Sequence, residues 1–138
     1  MEINITVKSS QYSKDSGLNS DEFVCTGTLT EKGGKTYIRF TEPERENETP
    51  AAVTIKTDGK VVTMVRSGDA QSHFVFKTGE PNISRYITPY GAFIMEVKPH
   101  FVRIAHNPEG GKIDLGYTLI INGGDRWENN FNIKYKII

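Results

Sequence analysis

Apolar residues recur at every second position through most of this chain. In INITV, Ile3, Ile5 and Val7 share one side while Asn4 and Thr6 take the other. Phe23, Cys25 and Leu29 alternate with Val24, Thr26, Thr28 and Thr30, and the same pattern aligns Ile38 with Phe40 and Val53 with Ile55. Near the end, Ile113, Leu115, Tyr117, Leu119 and Ile121 fall in one row, and Phe131, Ile133, Tyr135 and Ile137 in another. Successive side chains of a strand point to opposite faces, so a period of two predicts strands with one buried side. Gly33-Gly34, Asp58-Gly59, Gly110-Gly111 and Gly123-Gly124 each separate two such runs and read as hairpin turns. No stretch of about 10 residues combines helical periodicity with a capping signal.

The spacing of turns predicts an all-β meander of about nine or ten antiparallel strands. Closing such a meander removes its exposed edges, which makes an up-and-down barrel the leading architecture and a two-sheet sandwich the second. Two connections are longer and polar, residues 9 to 20 and residues 42 to 50. The latter, EPERENETP, sets four glutamates against one arginine and reads as a solvated acidic loop. Thr88-Pro89-Tyr90-Gly91 reads as a tight corner, since proline fixes the backbone angle that the second position of a turn needs.

Composition narrows the function classes. The chain has 138 residues, enough for one domain with a core, and 17 basic residues balance 17 acidic ones. A neutral chain has no long-range attraction to phosphate backbones or acidic membranes, so neither a nucleic-acid nor a membrane partner is expected. The amino terminus lacks a secretion signal, and no apolar run approaches the roughly 18 residues of a membrane helix. A cytoplasmic protein is expected. The single cysteine, Cys25, shares a face with Phe23 and Leu29 and reads as a small core residue rather than a nucleophile.

No nucleophile elbow, phosphate-binding loop, dinucleotide fingerprint or zinc-protease helix motif occurs. His73, His100, His106 and Cys25 show no ligand spacing. No metal, cofactor or catalytic residue is therefore assigned. What remains are polar residues that fall on the apolar side of their strands: Glu42 with Ile38 and Phe40, Arg66 with Val62 and Met64, Arg103 with Phe101 and Ala105, and Tyr117 with Leu115 and Leu119. An inward charge must be paired, so Glu42 and Arg66 are expected to meet.

The segments TGTLTEKGGKTYIRFTE at 26 to 42, VRSG at 65 to 68, RYITPYGAF at 85 to 93 and LGYTLIING at 115 to 123 occur in the order found in the bacterial YwiB-like family. The chain resembles that family over nearly its whole length. The resemblance implies a closed barrel of the calycin type, like that of the lipocalins, and no activity. Together with the inward polar residues, it leads to the expectation of a barrel that binds a small amphipathic or anionic ligand. Glu42 and Arg66 would orient the ligand, Arg103 would neutralise negative charge, and Tyr86 and Tyr117 would supply hydroxyls. The alternative is a protein-interaction module with a packed lumen, a homodimer through Val24, Ile94, Ile120 and Ile138. A third reading makes Glu42 the base of a hydrolase or isomerase.

Overall fold

The computed structural model describes residues 1–43 and 50–138. Ten strands run in chain order: β1 (Glu2–Ser13), β2 (Gly17–Lys32), β3 (Lys35–Thr41), β4 (Ala52–Thr57), β5 (Val62–Ser67), β6 (Gln71–Phe76), β7 (Asn82–Thr88), β8 (Gly91–Asn107), β9 (Gly110–Ile121) and β10 (Asp125–Ile137). Each pairs antiparallel with its neighbours in sequence, and β1 pairs with β10 to close the barrel. No helix among the described residues is long and apolar enough to cross a membrane.

The turns show why the chain reverses where it does. Gly33 and Gly34 both hold positive φ, at 60° and 76°, as a two-residue hairpin requires. At the next hairpin the Asp58 carboxylate accepts the backbone N–H groups of Val61 and Lys60, each at 2.9 Å. Those bonds favour the charged form and hold Asp58 below the usual carboxylate range. Thr88 caps its corner by accepting the Tyr90 N–H, and Tyr90 is 96% exposed at the tip. Gly110-Gly111 departs from the expectation of a turn, because both glycines lie inside β9. The reversal is made by Asn107, whose side-chain oxygen accepts the N–H groups of Glu109 and Gly110. The glycines answer to crowding instead: a Cβ at Gly110 would lie 2.2 Å from the Tyr135 carbonyl, and one at Gly111 2.6 Å from the Tyr135 hydroxyl.

Many of the buried side chains lie towards one end of the barrel, while Met95 and Leu119 are buried nearer the other. Ile3, Ile38, Ile55, Val62, Ile113 and Ile133 form an apolar plug at the first end, with Phe76 and Leu115 above them. β1 leaves this end and runs to the other, so the turns after β1, β3, β5, β7 and β9 all lie at the opposite, mouth end.

Two irregularities interrupt the wall. β6 and β7 pair only at Gln71 with Ile87 and Ser72 with Tyr86. Past that point side chains replace the ladder: Asn82 Nδ2 donates to the Val75 carbonyl at 2.8 Å, and the Ser84 hydroxyl donates to the His73 carbonyl. The second irregularity is a bulge in β8 between Pro99 and Phe101. One extra residue reverses the inside–outside alternation of everything beyond it. Val102 and Ile104 consequently pack on the core, and Arg103 turns outward. The extra residue, His100, reaches the outer wall, where its Nε2 lies 2.6 Å from the hydroxyl of Thr118. Thr118 is 0% exposed and donates to Glu128 Oε2 at 2.7 Å. That bond, helped by Arg126, holds the Glu128 carboxyl below its ordinary range.

Candidate functional site

The register of the ladder determines which polar residues share a level. Phe40 lies beside Val53, Val53 beside Arg66, Arg66 beside Ser72, Ser72 beside Tyr86 and Tyr86 beside Phe93. All face inward, because Phe40 and Val53 belong to the core. Glu42, two residues beyond Phe40, follows the same parity at the mouth end of β3. Its carboxylate meets Arg66, with Nε 2.9 Å from Oε1. The expected pair is present.

That pair lies at the mouth ends of β3 and β5. The Glu42 side chain keeps 14% of its surface exposed and Arg66 37%. The two facing atoms are themselves shielded from solvent and make no well-aligned hydrogen bond. The contact is therefore one of charge at short range, with its hydrogen-bonding capacity only partly used. Glu42 also contributes, after burial itself, to pushing the Cys25 thiol up. On the other side, burial pushes the Tyr117 phenol up to about 12, and the Arg66 charge opposes that shift. Tyr117 is thus neutral across the physiological range, with a hydroxyl able to donate and accept. Its ring lies 4.6 Å from that of Phe76, which roofs the plug.

Towards the mouth the inward side chains change in character. Phe23, Phe74, Tyr86, Phe93 and Trp127 face the lumen, yet each remains half-buried. In a filled barrel these inward positions would be sealed, as Ile5, Ile55 and Val62 are at 0% exposure. The lumen is accordingly sealed towards one end and lined towards the other by half-buried aromatic side chains, with Arg66 on the level of Tyr86 and Tyr117 against Phe76.

Arg103 is the exception among the expected ligand residues. It lies on the outer wall, exposed, with its guanidinium 4.3 Å from the Phe101 ring. Phe101 in turn rests over Gly116, where a Cβ would come within 2.2 Å of the ring. Arg103 lines an outer groove of about 540 Å³ with Lys8, Asp114 and Asn132. Plain alternation from Phe101 and Ala105 predicts the inner face for Arg103; the bulge before it removes that placement. Glu42, Arg66, Tyr86 and Tyr117 are brought to the lumen and Arg103 is not. Phe74 and Phe93 were legible in sequence through their phase with Phe76 and Met95, but only closure shows them lining a common cup. The acidic segment 44–49 lies outside the described residues, and its reading as a solvated loop stays an expectation.

Comparison with known proteins agrees with this architecture. Residues 5–133 match the family described as "Domain of unknown function (DUF1934)". The chain belongs to that family. Among solved structures, the DUF1934 chain is similar to the one titled "Crystal structure of ywiB protein from Bacillus subtilis", at 24% identity and a TM-score of 0.81. The alignment covers 98% of this chain and 92% of the other. At that identity the likeness shows the closed barrel and nothing of its use. No curated protein matches.

The position of Cys25 gives the DUF1934 lumen a chemical reporter. Alkylation by iodoacetamide should reach half its limiting rate at a pH above that of a free cysteine, because the thiolate is disfavoured by burial and by Glu42. Glu42→Gln should lower that midpoint without restoring it fully, since burial is the larger cause. A midpoint at or below the free-thiol value would place the sulfur outside the lumen.

Proposed function

We propose that this chain is a binding protein that holds one small amphipathic molecule in the open end of its barrel. The observation that carries the reading is the set of inward aromatic side chains left half-exposed above a sealed plug. Barrels of eight strands have interiors just wide enough to be filled or to hold one small ligand, and diameter grows with strand number. Ten strands with packing at one end therefore support a cup at the other. Apolar walls with a few polar groups are the usual make-up of a small-molecule site. Tyr86 would contact the ligand on the level of Arg66, and Tyr117 would contact it deeper in the lumen, beside Phe76. A cytoplasmic role fits the reading.

Native mass spectrometry of gently purified protein, compared with its denatured mass, tests this directly. The expected outcome is a stoichiometric excess mass that is lost on denaturation. Bare monomer mass after gentle purification, with no shift on addition of amphipathic aromatic compounds, would overturn the proposal.

A second reading is protein association through the outer wall. It is favoured by Ile83 and Ile94, exposed at 75% and 56% on adjacent strands, with Ile87 beside them. Val24 and Ile138 are likewise exposed. Light scattering that shows a homodimer, dispersed by Ile94→Lys, would favour this reading over the lumen. The carboxylate that an enzymatic reading would use as a base, Glu42, is engaged with Arg66.

A further inference from the structure

We infer that the cup selects ligands by charge: it takes an uncharged group that carries a hydrogen-bond donor and an acceptor on one edge, such as an amide or lactam on a flat ring, and rejects carboxylates. This deepens the lumen reading and rests on it.

Arg66 has little unopposed charge to offer a ligand. Its Nε faces Glu42 Oε1 at 2.9 Å, so this part of the lumen carries one positive and one negative charge at contact distance. A carboxylate brought to the remaining N–H groups of Arg66 lies beside the carboxylate of Glu42 as well. The two forces on it nearly cancel, while it loses its hydration on entering the cup. An ammonium brought to Glu42 meets the same opposition from Arg66. A neutral amide edge escapes both penalties, because its N–H can donate to the carboxylate while its carbonyl accepts from the guanidinium. The contact is made by Nε and Oε1, so the Nη groups of Arg66 and Oε2 of Glu42 lie outside it, and the Arg66 side chain keeps 37% of its surface exposed for such a partner to reach. Tyr117 beside Arg66 adds a hydroxyl that adapts to either role, and this neutral phenol adds no charge of its own.

The walls specify the rest of the molecule. Phe23, Phe74, Tyr86 and Phe93 take inward positions and remain half-buried, with Tyr86 and Phe93 at 6.5 Å between centroids. Such surfaces favour a flat aromatic body over a flexible chain, since offset and edge-on ring contacts add to the burial of apolar area. The expected ligand is therefore a flat heteroaromatic or aryl amide rather than a fatty acid.

Three probes of the same ring test this: 1-naphthamide, 1-naphthoate and 1-naphthylmethylammonium, titrated calorimetrically into the full chain at neutral pH. Naphthamide should bind about ten-fold more tightly than either charged analogue, the scale expected when one charge is desolvated without a net partner. Glu42→Gln should reverse the order in favour of naphthoate, and Arg66→Gln in favour of the ammonium. The exchanged pair, Glu42→Arg with Arg66→Glu, should keep the preference for naphthamide and serves if a single variant fails to fold. Naphthoate binding as tightly as naphthamide, with both weakened by Phe74→Ala, would overturn the charge selection and leave the lumen reading standing. Binding of none of the three would overturn both. A preference for naphthamide that is indifferent to Glu42 and Arg66 would also overturn the inference.

Discussion

Phe76→Ala should destabilise the barrel by about 3–5 kcal/mol, the range found when a buried aromatic ring is truncated and its cavity cannot fully collapse. For a chain of this size that corresponds to a fall in Tm on the order of 10 °C. Phe76 is 0% exposed and touches both halves of the lumen. Its ring lies 4.6 Å from Tyr117 and 6.3 Å from Phe74. Removing it would open a cavity beneath both Tyr117 and Phe74. Phe74→Ala, one inward position nearer the mouth, should cost markedly less because Phe74 already meets solvent. Thermal and urea melts of the two variants check the division of the lumen. Equal losses would mean that the cup is as sealed as the plug.

Gly27→Ala is the second substitution expected to have a large effect, although alanine is ordinarily tolerated better than glycine in a strand. Gly27 sits in β2 opposite Phe40 and faces the core. A Cβ there would lie 2.4 Å from the Arg39 carbonyl oxygen, 2.7 Å from Ile5 Cδ1 and 3.1 Å from Phe40 Cβ. The Ile5 methyl can rotate away, but the carbonyl belongs to the backbone of β3. β2 and β3 must separate, at a cost near the upper end of the roughly 1–3 kcal/mol typical of overpacking. Ile5→Val in the same chain should relieve only part of the loss. Gly124→Ala is the matched control, since its Cβ would meet only the Ile121 carbonyl at 3.7 Å. Equilibrium unfolding of the three variants checks the ranking, and a neutral Gly27→Ala would show that the two strands can open without strain.

Both substitutions act at positions whose partners come from distant parts of the chain, and the same holds for the site. The sequence alone made the strands legible, because the alternation of Ile3, Ile5 and Val7, or of Ile113 and Leu115, survives without knowing any partner. It also showed Glu42, Arg66 and Tyr117 on apolar faces, and electroneutrality in a buried setting led from there to the Glu42–Arg66 pair. Tyr86 faces the lumen through the ladder that links it to Ser72 and Arg66.

Arg103 marks where that reasoning stopped. Alternation is a local rule with a period of two, so one unpaired residue at the bulge inverts every assignment after it. Pro99 hints at an irregularity in KPHFVR, since proline cannot donate to a ladder and sits within sheets at edges or bulges, but it does not say where the extra residue falls. That position becomes visible only when Pro99 is seen opposite Tyr117 and Phe101 opposite Gly116. Gly110-Gly111 fails as a turn for a related reason: what makes glycine necessary there is the proximity of Tyr135 in another strand.

Short-range periodicity and turn chemistry made the strands and most of their buried faces readable from the sequence, and the resemblance to a barrel family implied their closure. Tertiary structure alone decided how the lumen divides into plug and cup. It also decided which face Arg103 takes and how close Glu42 lies to Arg66, because depth and distance depend on the tilt, register and irregularities of ten strands at once.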